Sequence, residues 1–322
     1  MGDFYGGCTV RLQQTLANSI SCTGTGLHSG HPVTMVLRPA PVDTGVVFVN
    51  RNGHAGASLA ASVEHLVPTE LCTAISGNGF QVKTIEHVLA ALAGLNVDNV
   101  FVEIDAGEAP VMDGSSAHFV RLIKAAGLVS QPKRQPYIKI TQPLEIVDGV
   151  RSIRIEPSSM PKITYSIQYN HPFIDTQTYE YEHSADAFES EIASARTFGF
   201  LHEVEALWAR GLGRGGNLDN TIVLSKDGML NETGLRFSDE FVRHKVLDLI
   251  GDFSLLGAPF IGHLIADRSG HALHTKLVKQ ILTHPDCWVL LNAEHSIPQS
   301  ELKHTVLVGS RPVPLATLQP AS

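Results

Sequence analysis

The chain has little that would tie it to an oxidising compartment, a membrane or a nucleic acid. Its four cysteines among 322 residues are scattered, with no CxxC pair and no disulfide-like spacing. Reduced thiols in a cytoplasmic protein are the expectation. No stretch approaches the uninterrupted apolar length of a membrane span. The opening MGDFYGGCTVRLQQ lacks a basic segment followed by an apolar one, so no cleaved leader is expected. Gly-Gly-Cys stands there without an apolar stretch before it, which argues against a lipid anchor. A formal net charge of −8 and the lack of any Lys/Arg-rich run exclude broad nucleic-acid binding as a function class.

What is present fits a globular protein. Hydrophobic residues make up 43% and charged residues 17%, and the length allows two ordinary domains. Residues 33–38 and 46–50 read as strands around a turn-rich APVDTG. Thr84 is expected to open the amphipathic helix TIEHVLAALAGL, and 99–105 to follow as a strand. Ser115 is expected to cap a second helix through Ala126. Ser-Gln-Pro-Lys-Arg-Gln-Pro at 130–136 reads as a linker. Strands are then expected at 137–146, 151–155 and 163–169, a short helix near 203–210 and a glycine-rich loop GLGRGGNLDN before the strand TIVL. A strong helix from Asp239 to Gly257, a strand at 260–265 and a helix at 271–282 complete the ordered part. The tail beyond about residue 290 reads as weakly structured.

Both halves carry a helix, strand, loop, helix pattern. Ser115 lies 28 residues beyond His87, and His271 lies 27 beyond His244. This spacing predicts an α+β fold of two similar units, each a sheet with two helices, with any shared site between them. The first unit is placed at 1–131 and carries Glu86 and His87. The second, at 132–322, carries His244 and Asp248.

The sharpest chemical feature is RHKVLDLIGD. His244, Asp248 and Asp252 fall at i, i+4 and i+8 on one helix face, apart from the apolar Val242, Val246, Leu249, Ile250 and Phe253. Pairing of His and Asp on a solvated face is the plain alternative, and this helix alone does not decide. In TIEHVLAALAGL, Glu86 and His87 occupy the first turn of an otherwise apolar helix. A buried helix leaves such a pair in need of partners, although a Glu favoured by the helix dipole explains half of it. Together, two imidazoles and one carboxylate make a three-ligand hydrolytic metal site. Glu86, adjacent but not itself a ligand, would take the proton of a water.

Long ordered motifs accompany these residues. TGLHSG and LRPAPVDTG come first, then KTIEHVLAALAGLNVDN and APVMDGSSAHFV. ARTFGF, GGNLDN, LNETGLRFSDEFVRHKVLDLIGD and SGHAL follow. Nearly end to end, the chain resembles the UDP-3-O-acyl-N-acetylglucosamine deacetylases, zinc amidases of early lipid A synthesis in Gram-negative bacteria. The resemblance implies two β-α-α-β units with helices packed between the sheets. It implies hydrolysis of the substrate's 2-acetamido group, releasing acetate and the free amine. His87, His244 and Asp248 would hold zinc, and Glu86 would be the general base. His271 of SGHAL would be the charged partner of the oxyanion and leaving amine, oriented by Asp252. Thr197 of ARTFGF would face the oxyanion opposite the zinc.

Substrate contacts carry over in the same way. Phe198 and Lys245 would meet the glucosamine and the nucleotide phosphate. An insert in the second unit would form an apolar passage for the 3-O-acyl chain, lined by Phe200, Leu201, Val204, Leu207, Gly216 and Val223; read without the family these are core residues. Leu71, Cys72 and Thr73 match the segment beside the metal, with Cys72 a pocket wall and not a nucleophile. Arg268 stands where many relatives have Lys, keeping positive charge for a diphosphate. His274 stands where Asn is commoner, and Asn217 and Thr221 alter the passage, leaving acyl-length preference open. Iron(II) suits the same nitrogen and oxygen donors as zinc. The expected partner is the UDP-linked acylated glucosamine, with no nucleic acid, membrane contact only through the lipid pathway, and a monomeric chain. A zinc lyase or hydrase would need no acyl passage, and a non-catalytic nucleotide-sugar binder would need no acid–base pair.

Overall fold

The computed structural model describes residues 11–52 and 57–291, with the backbone of Phe4–Tyr5 and Cys8–Thr9. The expectation for the tail beyond about residue 290 lies outside these residues, apart from the end of a strand, Trp288–Leu291. The fold is α+β, with several sheets and six helices among the described residues. No helix among them is long and apolar enough to cross a membrane.

Two five-stranded sheets dominate. In the first the strands run in the order Ile20–Thr25, Pro32–Pro39, Val100–Ile104, Val46–Asn50, Ser58–Ala60. In the second the order is Leu144–Asp148, Arg151–Glu156, His263–Asp267, Lys162–Gln168, Thr176–Glu182. Each sheet has one parallel pair, Val100–Ile104 with Val46–Asn50 and His263–Asp267 with Lys162–Gln168; every other neighbour is antiparallel. Alternation explains which face each strand buries. Val33, Met35 and Leu37 point inward with Val100, Val102 and Ile104; Ile163, Tyr165 and Ile167 do so with Leu264 and Ala266.

The helices are α1 (Glu86–Gly94), α2 (Ala117–Ala126), α3 (Ala185–Ala187, leading into a π turn over Phe188–Ile192), α4 (Val204–Ala209), α5 (Glu240–Phe253) and α6 (His271–Thr283). In α1 every residue but Ala93 is buried, because it packs along α5. Helix α5 also lies on Lys162–Gln168 and Thr176–Glu182, α2 on Ile20–Thr25, and α6 on Leu144–Asp148 and Arg151–Glu156. One contiguous apolar core joins both sheets and the helices. At the α1–α5 crossing, a methyl at Gly251 would run into the backbone carbonyl of Glu86. Glycine is what lets the two helices come that close.

Several local expectations are corrected. Thr84 does not cap α1: its φ is 55°, and its hydroxyl donates instead to Glu108 Oε1 at 2.9 Å. Helix α2 begins at Ala117, and Ser115 binds Asp113 while accepting from the Ala117 N–H at 3.2 Å. The polar 130–136 segment is no loose linker, since Leu128–Arg134 is a strand paired with Leu12–Leu16. Gln131 there is buried, accepting from Asn99 at 2.6 Å and donating to the Ala40 carbonyl at 2.9 Å. The stretch 137–146 is two strands in different sheets, broken at Thr141–Pro143, where proline cannot donate to a ladder.

Candidate active site

The α1–α5 crossing brings together what the sequence keeps more than 150 residues apart. His87 Nε2 lies 3.7 Å and His244 Nε2 3.3 Å from Asp248 Oδ1, all three side chains buried. The two imidazole rings meet edge to face at 5.1 Å. These N···O separations exceed an ordinary hydrogen bond. They match donors placed about 2.05 Å from one tetrahedral ion, which lie about 3.4 Å apart. The three ligand atoms lie within 4.8 Å of one another and can hold a metal ion.

Protonation states agree with that use. Burial, reinforced by the neighbouring His244, pushes the His87 imidazole down to about 3, and burial lowers His244 as well. For Asp248, burial favours the acid, but the facing His244 and Lys245 charges outweigh it and hold the carboxyl well below the usual range. Two neutral imidazoles and a carboxylate are the forms a divalent cation takes. His244 Nδ1 donates to the Ala195 carbonyl at 3.0 Å, which fixes its tautomer and turns Nε2 toward Asp248. His87 Nδ1 has no hydrogen-bond partner among the described residues. Its helix is held instead by Ser116, whose hydroxyl donates to the His87 carbonyl at 2.7 Å.

Around this trio stand the remaining groups. Glu86 is buried, accepts the Thr73 N–H on Oε2 at 3.0 Å, and is pushed up to about 8 by burial. His271 Nε2 faces Glu86 Oε1 and Asp248 Oδ2, each at 4.0 Å. Its Nδ1 donates to Asp252 Oδ2 at 2.8 Å. Burial works against charge on His271, yet Asp252, Asp248 and Glu86 overcome it and raise the imidazole to about 9. Asp252 is correspondingly lowered: burial opposes the carboxylate, and His271 outweighs it. Thr73 ties the two carboxyl systems together, its hydroxyl donating to Asp252 Oδ1 at 2.5 Å.

Thr197 is pinned through its backbone, with N–H to the Gly114 carbonyl and its own carbonyl accepting from Ile222, both at 2.8 Å. Its hydroxyl makes no hydrogen bond among the described residues. It stands two residues beyond the carbonyl that orients His244. Lys245 sits on Asp248 Oδ2 at 2.8 Å, 5.6 Å above the Phe198 ring. That pairing places its ammonium within the cluster. Cys72 is buried, and burial pushes its thiol up to about 12, which agrees with a wall and not a nucleophile. Leu71 beside it is largely exposed with φ 61°.

The insert region carries the expected apolar residues, but not as core. Phe198–Phe200 pairs in parallel with Ile222–Ser225, and α4 follows with no residue buried. Leu201 is exposed, together with Trp208 and Leu218. Phe200, Val204, Leu207 and Val223 are half-buried, and Gly216 is exposed. Arg268 lies apart from these, its guanidinium held by Asp267 at 2.8 Å and Gln168 at 3.0 Å.

Two residues, Glu108 and His28, escaped the sequence reading, and His274 was noted there only as a departure from the family. Glu108, buried, accepts the N–H groups of His28 at 2.7 Å and Ser29 at 2.8 Å besides the Thr84 hydroxyl. His28, also buried, accepts the Gly213 N–H on Nδ1 at 3.3 Å and so ties the TGLHSG loop to the glycine-rich loop of the other half. His274 Nδ1 lies 2.8 Å from Asp252 Oδ2. For His274, its place three residues after His271 on α6 was the available signal.

The chain belongs to the UDP-3-O-acyl N-acetylglycosamine deacetylase family, whose sequence model matches residues 13–283. A UDP-3-O-acyl-N-acetylglucosamine deacetylase of Syntrophotalea carbinolica is 44% identical over 293 residues, 91% of this chain and 95% of the relative. One from Xanthomonas campestris is 45% identical over 294 residues, 91% of this chain and 97% of the relative. A third, from Xanthomonas axonopodis, is 47% identical over 278 residues, 86% of this chain and 92% of the relative.

Proposed function

We propose that the chain hydrolyses the 2-acetamido group of a UDP-3-O-(3-hydroxyacyl)-N-acetylglucosamine, releasing acetate and the free amine in the committed step of lipid A synthesis. The observation that carries this reading is the convergence of His87, His244 and Asp248 beside Glu86 and His271, in a chain of this family. The zinc site would be His87, His244 and Asp248, with iron(II) an equal fit to the donor set. Zinc held there would supply Lewis-acid polarisation of the amide carbonyl and a water of lowered pKa.

The chain's own groups account for the proton movements. Glu86, whose burial makes it a willing acceptor near neutral pH, takes the proton from the attacking water. The Thr197 hydroxyl, without a hydrogen-bond partner among the described residues, donates to the oxygen that gains charge as water adds to the carbonyl. His271, kept charged by Asp252, stabilises that oxygen and gives a proton to the nitrogen as the C–N bond breaks. Lys245 and Arg268 would serve the nucleotide phosphates, and Phe198 the sugar. The exposed apolar side chains of α4 and its neighbouring strands would line the acyl passage, where each buried methylene contributes about 0.8 kcal/mol.

The same reading divides the chain near 131/132 into two β-α-α-β units whose helices lie between the sheets, with the boundary drawn after Arg134 so that the strand Leu128–Arg134 stays with its partner Leu12–Leu16. Matching strand orders and the α1–α5 packing support it. A monomer acting in the cytoplasm, without nucleic acid, completes the proposal. The test is acetate release from the acylated nucleotide sugar, coupled to metal analysis of anaerobically purified protein. Stoichiometric metal with acetate release is expected. Metal-loaded protein that releases none, or that acts equally on the nucleotide sugar lacking the acyl chain, would overturn the activity or the passage respectively.

A further inference from the structure

Asp252 is the most heavily used carboxylate in the site. Its Oδ1 accepts from Thr73, and its Oδ2 accepts from two imidazoles, His271 Nδ1 and His274 Nδ1, each at 2.8 Å. Both histidines come from the first turns of α6, three positions apart and so on one face. The second imidazole is entirely enclosed, as are Asp252 and Tyr165. Its far nitrogen, Nε2, lies 3.1 Å from the Tyr165 hydroxyl.

These partners settle the tautomer. A carboxylate only accepts, so His274 Nδ1 carries the hydrogen. Nε2 then has a lone pair, and the Tyr165 phenol donates to it. The path therefore runs from the sheet strand Lys162–Gln168 through Tyr165 and His274 to Asp252, and from there to His271. Without His274, the second lone pair of Oδ2 would sit unpaired in a buried pocket, at a cost the carboxylate can relieve by turning. Turning it would draw the His271 ring away from Glu86.

We propose that His274 is a positioning residue for the acid–base centre, fixing the Asp252 carboxylate so that His271 Nε2 faces Glu86. The proposal rests on the deacetylase reading for its kinetic consequence only. A histidine that merely fills the core makes the opposite forecast for two substitutions. His274→Leu fills the volume and loses the donor; His274→Asn loses volume and keeps an N–H. If packing is what matters, Leu is the better replacement. If the hydrogen bond matters, Asn is.

The experiment compares both variants and Tyr165→Phe, using the full chain. For His274→Leu, kcat should fall by about 10- to 100-fold, as for other residues that orient an active-site group, with KM within about twofold of the parent. His274→Asn should recover most of the loss, and Tyr165→Phe should cost little. In metal-free protein labelled with 15N-histidine, the downfield Nδ1–H resonance of His271 should persist in His274→Asn and vanish or broaden in His274→Leu. Higher kcat in Leu than in Asn, or an unchanged resonance in the Leu variant, would overturn the proposal. If the parent protein releases no acetate, the deacetylase reading fails, and the resonance still decides the role of His274. If the Leu variant does not fold, His274→Ala takes its place: loss of the His271 Nδ1–H resonance there, with its return in His274→Asn, supports the proposal, and an unaltered resonance in His274→Ala overturns it.

Discussion

Helices α1 and α5 each come before the central strand of a five-stranded sheet, Val100–Ile104 and His263–Asp267, yet they are built differently. Helix α1 has nine residues, buried almost all round, and its only charged or imidazole groups are Glu86 and His87 in the first turn. Helix α5 has fourteen, and a strip of His244, Lys245, Asp248 and Asp252 runs along it. One half offers the end of a helix and the other offers a face. An end can supply few groups, but it places them where backbone from a neighbouring loop, here Thr73, can reach a carboxylate. A face supplies many groups at fixed spacing. The division puts Glu86, the proposed base, in one half and Asp252, which keeps His271 charged, in the other.

The largest expected effect breaks the contrast at the helix end. Glu86→Gln should retain bound metal and lose kcat by about 10²- to 10⁴-fold, the usual reach of a general base. Turnover within tenfold of the parent would move the base elsewhere. Next, His87→Ala and His244→Ala should each lose stoichiometric metal by elemental analysis, although one ligand comes from the end and one from the face. Full metal retention in either variant removes that residue from the ligand set.

A smaller effect is expected at the crossing. Gly251→Ala puts a methyl against the Glu86 carbonyl and should lower stability by about 1–3 kcal/mol, the ordinary cost of overpacking, read as a lower urea midpoint. An unchanged midpoint would mean that the helices separate freely. Smallest is the effect of pH. Activity should rise as Glu86, lifted toward about 8 by burial, loses its proton, and fall as His271, raised to about 9, loses its own. A bound dication would pull the lower limb further down. Because the two groups interact, the limbs belong to the pair. A profile that rises monotonically through alkaline pH would show that no charged acid is needed.

The halves also differed in how much could be foreseen. Helix α5 was legible because its apolar and polar residues separate at helical period, although the helix itself ends at Phe253 and the 3-10 turn Ser254–Leu256 carries the chain on to Gly257, whose φ is 84°. Residue type and spacing suggested His87, His244 and Asp248 as a group that could hold a metal, and the family resemblance made it a ligand set. Thr84 misled because a threonine before a helix is the usual cap, whereas here its hydroxyl serves Glu108. The Ser130–Pro136 stretch misled because its polarity is matched by buried partners, Asn99 and Ala40, invisible without the fold. The strands Ile20–Thr25, Ser58–Ala60 and Thr176–Glu182 carry too few apolar residues to announce themselves. Thr73 and Glu108 gained their roles only when distant loops met. No periodicity encodes a meeting of that kind.

Gly251 touches Glu86 through a peptide oxygen and not through its side chain. At this one point of the crossing the spacer is made of main chain alone. Side chains farther off can be exchanged, and their losses shared among neighbours, without altering that gauge. The residue whose carboxylate needs the finest placement is also the one against which both halves are set.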